Sequence, residues 1–397
     1  MHAISKAALF SALPAPRQAS LGSVIRTAVA ASAGTLVVLD DDPTGTQTVY
    51  DVPVLTRWSA EVLLREFQRP GHCFYILTNS RSMSAADARR LNLEIAQNLQ
   101  QAAAQTGREF SVVSRSDSTL RGHFPSETDA LAEVIGPFDA TFLIPYFEAG
   151  GRYTVHDVHY VADGDLLRPA AETAFAHDAA FGYRSSHLRQ WVEEKSGGRI
   201  PASQVQSIDV PVLRREKVDD GSPHGVTAWL QQLPTGSVCI VNACHPHDVE
   251  VFALAALRAE QSGSCFVYRT AADFVAARLG LEPRPLWAPS AVLDPPASGG
   301  GLVVVGSHVP KSSEQLGRLL KDESLTPVEV RVTHLLDEAT RDHEVKTAHA
   351  AVEASLRGGI STVVFTSRNV ITGESAGASL RISESVSAAL VDIVRRL

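Results

Sequence analysis

Short apolar, β-branched runs alternate along the chain with stretches whose apolar residues recur at helical spacing. Thr35 to Leu39 reads as a strand, followed by a helix from about Ser59, a strand Cys73 to Leu77, a helix Ala85 to Ala104 and a strand Phe110 to Val113. Further strands are expected at Thr141 to Ile144, Ser237 to Val241 and Cys265 to Tyr268, with a helix Val249 to Glu260 between the last two. The stretch from Glu282 to Gly301 holds five prolines and closes on Ser-Gly-Gly-Gly, the composition of an exposed linker. The alternation then restarts: Leu302 to Val305, a helix Ser312 to Lys321, Val328 to Val332, a helix around His343 to Leu356, and Thr362 to Thr366. Ile382, Val386, Leu390, Ile393, Val394 and Leu397 mark a last helix. The expected fold class is therefore α/β with two domains, each a mostly parallel sheet flanked by helices. The predicted organisation is an N-terminal arm over 1–34, a first α/β domain over 35–281, a linker over 282–300 and a second domain over 301–397. No strand follows the last helix, so the second domain reads as incomplete.

Composition narrows the class. At 397 residues, 44% hydrophobic and 20% charged, with mean hydropathy near zero, the chain can bury more than one core. Lys plus Arg number 36 against 44 Asp plus Glu, a formal charge of -8 that gives no general attraction for nucleic acid or anionic lipid. No apolar run approaches the length of a membrane span. Cys73, Cys239, Cys244 and Cys265 form no paired spacing, so neither a disulfide scaffold nor a structural zinc site is indicated and a cytoplasmic location is expected. The first 39 residues lack acids, but Pro14 and Pro16 interrupt any amphipathic targeting helix, and the segment reads as a loose arm. The P-loop and dinucleotide glycine signatures are absent.

The candidate chemistry sits where strands end. The run Leu36 to Leu39 delivers Asp40, Asp41 and Asp42 into a Pro43-Thr44-Gly45 turn. Three adjacent carboxylates repel one another unless a cation or a bound hydroxyl neutralises them. The next strand opens into Thr78-Asn79-Ser80-Arg81-Ser82, with Ser84 placed to cap the following helix. A third opens into Ser114-Arg115-Ser116-Asp117-Ser118-Thr119-Leu120-Arg121-Gly122, and planar guanidinium groups there suit a carboxylate or phosphate. Three such loops on successive strands predict one convergent site, since open α/β sheets bind ligands at the carboxyl ends of their strands. Cys244-His245-Pro246-His247-Asp248 carries zinc-binding residue types but reads as a helix N-terminal loop, and no protein-only metal site is expected.

In that order and spacing, DDxTG, NSRS and DSTLRG resemble the N-terminal domain of the four-carbon acid sugar kinase family. Gly150-Gly151-Arg152-Tyr153-Thr154-Val155 and Gly301 to Ser307 are similar to that family as well. The resemblance implies a first domain that binds a sugar acid of the threonate, erythronate or 3-oxo-tetronate type and a second that binds ATP with Mg2+. It implies Asp41 or Asp42 as the catalytic carboxylate that deprotonates the reacting hydroxyl, with Arg81, Arg115, Asp117, Ser118, Arg121 and Arg152 around the substrate. Ser307 stands at the family's nucleotide contact. A small-molecule sugar acid is the expected partner, with no nucleic acid and no membrane, and a homodimer is compatible. The family also implies a Gly-rich segment near the C-terminus beside the ATP phosphates. Downstream of Ser307 the pair Gly358-Gly359 sits before a strand and is a poor substitute for it, so a truncated kinase or a non-catalytic sugar-acid-binding protein is the alternative. A second alternative reads Asp40-x-Asp42-x-Thr44 as the nucleophile motif of a haloacid-dehalogenase-like phosphatase, with Lys217, Asp219 and Asp220 as the remaining groups.

Overall fold

The computed structural model describes residues 3–216, 225–285, 288 and 299–397. Most of the linker predicted over 282–300 lies outside the described residues, as do Lys217, Asp219 and Asp220. The chain divides into two compact units, Met1–Pro283 and Arg284–Leu397.

Unit 1 is built on eight parallel strands: β1 (Thr35–Asp40), β2 (Val54–Leu55), β3 (Cys73–Leu77), β4 (Phe110–Arg115), β5 (Ala140–Ile144), β6 (Gln206–Ile208), β7 (Ser237–Val241) and β8 (Phe266–Thr270). Their order across the sheet is β6-β7-β5-β8-β4-β1-β3-β2. Every residue of β1 is buried, which explains why its sequence is a continuous apolar run rather than an alternating one. Alternation persists in the two faces: Leu36 and Val38 enter a core with Ile25 and Phe252, whereas Val37 and Leu39 enter another with Leu63, Ile95 and Leu99. The helix Ala85–Thr106 starts at Ser84, whose hydroxyl accepts from the Asp87 amide at 3.1 Å, and stops at Gly107 with φ +66°. The Cys244 to Asp248 cluster is a helix entry: His245 caps the helix Pro246–Gln261, and Asp248 pairs with Arg214 at 2.8 Å.

Two features depart from the expectation. The first 34 residues are not a loose arm. Ile4–Ser5 pairs with Leu166–Pro169, and the helix Gly22–Ala30 buries Ile25 in the unit 1 core. Apolar burial rather than composition decides the fate of that segment. Residues 152–169 also form an antiparallel sheet with the N-terminal strand, in the order Ile4–Ser5, Leu166–Pro169, Val158–Asp163, Arg152–Val155.

Unit 2 is a smaller parallel sheet of β9 (Leu302–Val305), β10 (Thr326–Val330) and β11 (Thr362–Thr366), with β11 central. Its core joins Val330, Val364 and Val352 to Ala389 and Ile393 of the helix Ala376–Arg395.

Candidate active site

Strand β1 connects outward to β2 and β3, while its other neighbour β4 connects to β5 on the opposite side of the sheet. The direction of winding therefore reverses between β1 and β4, and such a reversal opens a crevice at the carboxyl ends of the strands. The three loops singled out in the sequence leave the adjacent strands β3, β1 and β4 at that edge, and their side chains meet.

Asp41 is the hub. Arg81 grips it with Nη2 at 2.6 Å and Nε at 3.2 Å, and Ser116 Oγ donates to it at 2.9 Å. Arg81 also reaches Asp42 at 3.0 Å and Asp117 at 3.8 Å. Three carboxylates from two loops thus share one guanidinium, which offsets the repulsion between Asp41 and Asp42. Burial tends to lower the Arg81 pKa, but Asp41, Asp117 and Asp42 outweigh it, and the group is held above its ordinary value.

Asp40 faces inward. Its carboxylate lies 3.2 Å from the equally buried Arg115, and burial pushes its pKa up to about 7. A Cβ on Gly45 would come within 1.8 Å of this carboxylate, so only glycine fits the turn above it. That cover leaves Asp40 no open face for attack on a phosphoryl group, which removes the geometric basis for the phosphatase reading. Arg115, expected around the substrate, is spent on Asp40 and on Asp41 at 3.8 Å.

Asp42 is the member of the acidic triad that opens toward solvent, with a quarter of its side chain exposed against 3% for Asp40 and Asp41. Its carboxylate accepts from the Thr44 amide at 2.7 Å and from the Thr44 hydroxyl. Burial would raise its pKa, but Arg81 and Thr44 bring it below the usual carboxylate range, so it is ionised at neutral pH.

Across the crevice Asp117 pairs with Arg121 at 2.8 and 3.2 Å. Despite burial, Arg121 and then Arg81 hold the Asp117 carboxyl well below its ordinary value. The loop is fixed from outside the sheet: His159 Nε2 lies 2.8 Å from the Ser118 carbonyl oxygen, and the Tyr183 hydroxyl donates to the Thr119 carbonyl at 2.9 Å. The Ser118 side chain itself makes no hydrogen bond among the described residues.

Arg152 behaves differently from its neighbours. It and Arg121 each place their guanidinium carbon 5.2 Å from the centre of the Phe175 ring. Arg81, Arg115 and Arg121 have carboxylate partners, whereas Arg152 has none among the described residues; it donates to the Gly150 carbonyl, and its buried Nε has no partner. Burial pushes its pKa down against the pull of Asp117, and the like charge of Arg121 adds to the shift. An arginine stays protonated regardless. This is a cation in want of an anion.

Two participants escaped the sequence reading. Arg269, from the end of β8, is buried between Glu127 and Ser114, and Glu127 also accepts from Ser80, which ties the second loop to the third. Gly122 passes over this assembly with φ +123°, and a Cβ there would lie 2.6 Å from Arg269 Nη2 and 2.8 Å from Ser116 Oγ. Gly122→Ala is expected to cost about 1–3 kcal/mol in backbone strain alone. An unchanged denaturation midpoint in that variant would show that the loop has slack.

In unit 2 a second cleft lies at the carboxyl ends of β9 and β11. Gly306, Ser307 and His308 form one side, Ser367 and Asn369 another, and Ile382, Ser383 and Val386 of the last helix the third. The turn at Ser307 leads into the helix Pro310–Leu319, and Arg368 holds it by bonds to the Ser307 carbonyl at 2.6 Å and Ser313 Oγ at 2.7 Å. Among the described residues no group of three or more His, Cys, Asp or Glu side chains is placed to hold a metal ion. Among the described residues no helix is long and apolar enough to cross a membrane.

Known proteins agree with this division. Residues 36–278 match a sugar-binding N-terminal domain and residues 302–397 a nucleotide-binding C-terminal domain. The chain is 29% identical over 158 residues to a D-threonate kinase of Bordetella bronchiseptica, a match that covers 38% of this chain and 37% of that relative's length. A solved Salmonella typhimurium LT2 protein, provisionally labelled a tRNA synthase, shares the fold with a TM-score of 0.55 at 17% identity, over 91% of this chain and 82% of its own. A Bordetella bronchiseptica protein solved with citrate as a domain-swapped dimer aligns with a TM-score of 0.46 at 21% identity, over 91% of this chain and 80% of its own. With both domain models matched in order and the three loops gathered at one sheet edge, the chain belongs to the four-carbon acid sugar kinase family.

Proposed function

We propose that this protein is an ATP-dependent kinase that phosphorylates a hydroxyl of a four-carbon sugar acid of the threonate, erythronate or 3-oxo-tetronate type, in the cytoplasm. The observation that carries the reading is the half-buried guanidinium of Arg152, which has no carboxylate partner among the described residues and whose buried Nε makes no hydrogen bond. A substrate carboxylate supplies the missing anion, and planar bidentate pairing is what this side chain does best. Arg121, which shares the Phe175 ring with it, adds positive potential at the same end. Arg81 acts by holding Asp41, Asp42 and Asp117 in place rather than by clamping the substrate.

Asp42 is the base: it is the acid with an open face and is ionised at neutral pH. It accepts the proton of the substrate hydroxyl as that oxygen bonds to the transferred phosphoryl group, and ADP leaves. ATP bound with Mg2+ supplies the phosphoryl group. The unit 2 cleft fits a nucleotide: Ser307 and neighbouring hydroxyls stand at a strand-to-helix turn, and apolar side chains line the opposite wall. Asp117 and Ser118 face the substrate's remaining hydroxyls.

A calorimetric titration tests the substrate half of this reading. D-Threonate or D-erythronate is expected to bind, and threitol, which lacks the carboxylate, to bind at least tenfold more weakly. Equal affinity for acid and polyol would remove Arg152 as the carboxylate seat.

A further inference from the structure

The crevice continues into a small cavity behind Asp117 and Arg121. Leu120, Leu143 and Leu188 give it apolar walls, and Trp191 and Thr270 line it with Ser116 and Arg269. Trp191 and Thr270 are almost wholly buried, at 3% and 2% exposure. The Trp191 indole Nε1 and the Thr270 Oγ1 have no hydrogen-bond partner among the described residues. An orphaned buried donor is costly, and two lining one cavity call for a shared polar occupant. The free volume open to a water-sized group is about 20 Å3, enough for one water molecule or one hydroxyl and too small for a phosphate or a second carbon. An indole N–H only donates, while a threonine hydroxyl both donates and accepts. Together they complement a hydroxyl, which accepts from Trp191 and donates to Thr270.

We propose that Trp191 and Thr270 are specificity-determining residues that receive one non-reacting hydroxyl of the sugar acid. The inference rests on the sugar-acid reading above and deepens it. A hydroxyl seated there has no space to receive a phosphoryl group, so the site separates the hydroxyl that is recognised from the one that reacts. The same pair rejects an acid that lacks this hydroxyl, because the two donors would be left unpaired beside the ligand.

The test crosses residue deletion with ligand deletion. Calorimetric affinities are measured for D-threonate and its three monodeoxy analogues with the wild type, Thr270→Val and Trp191→Phe. The wild type is expected to bind one monodeoxy acid about tenfold more weakly than D-threonate. Each variant is expected to lose about tenfold for D-threonate and little for that same analogue. Neither variant should melt lower, since each replaces an orphaned polar group by an apolar one of similar shape. If the wild type binds D-threonate and both variants bind all four acids as it does, the cavity holds only water and the proposal fails. If the wild type binds none of these acids and neither D-erythronate nor the 3-oxo acids, the sugar-acid reading itself fails.

Discussion

Asp42→Asn is expected to lower kcat for sugar-acid phosphorylation by roughly 10²–10⁴-fold, the usual contribution of a positioned base, with the sugar-acid KM changed by only a few-fold. The carboxylate is the open one of the triad, and its amide isostere keeps an oxygen for Thr44 while giving up the charge that takes the proton. Arg81 retains Asp41 and Asp117, so the crevice keeps its shape. Steady-state kinetics with D-threonate and D-erythronate separate the two constants. A variant that loses affinity and keeps kcat would move the base elsewhere.

Arg152→Ala is expected to weaken sugar-acid binding by roughly 10- to 150-fold, the value of about 1.5–3 kcal/mol for a hydrogen bond to a charged group. The loss should fall on acids and spare neutral polyols. Because Arg152 has no carboxylate partner among the described residues, its removal leaves no acid of the crevice unpaired, and the melting temperature should hardly change. A large loss of stability with unchanged acid-to-polyol preference would assign Arg152 a structural role. Arg121→Ala is the useful contrast, since it leaves the buried Asp117 with only the more distant Arg81 at 3.8 Å and should destabilise the loop.

Asp40 gives the account a pH signature. Its folded pKa of about 7 lies above the ordinary 3.8, because burial favours the protonated form over the pull of Arg115. The unfolded chain binds fewer protons at this group between those values, so its contribution to stability is present below pH 4 and declines as pH rises toward 7, by up to about 1.4 kcal/mol per unit. His159 works the other way: burial depresses its pKa to about 4, so its contribution is present above pH 6.5 and lost as pH falls. The two slopes offset in the wild type. Asp40→Asn removes one of them, and its stability should rise with pH from 4 to 7 relative to wild type in chemical denaturation, whatever its constant offset. Parallel pH profiles would mean that Asp40 stays ionised against Arg115.

The parts of this architecture that were legible in the sequence are those whose signal is local. A strand buried on both faces must be continuously apolar, so Leu36 to Leu39 revealed β1, and Ser84 marked the start of its helix. Strand ends carrying acids and arginines pointed to a convergent site because parallel strands put all such ends on one edge. The pairing within the site was not legible. Arg81 belongs to Asp41 forty residues earlier, and Arg269 to Glu127 across 142 residues, contacts that no spacing encodes. Arg81 therefore looked free for substrate, while Arg152, the arginine of these loops without a carboxylate partner among the described residues, could be recognised only in three dimensions. The N-terminal residues were misread for the same reason. Ile4–Ser5 is too short to announce a strand and is ordered by a partner at Leu166–Leu167.

The most direct measurement is ADP release by this 397-residue chain with ATP, Mg2+ and a panel of D-threonate, D-erythronate and their 3-oxo counterparts. ADP formation is expected to depend on one of these acids and to fall to background with Asp42→Asn. Acid binding at the Arg152 site without acid-dependent ADP release would contradict the kinase assignment and leave a protein that recognises sugar acids without phosphorylating them.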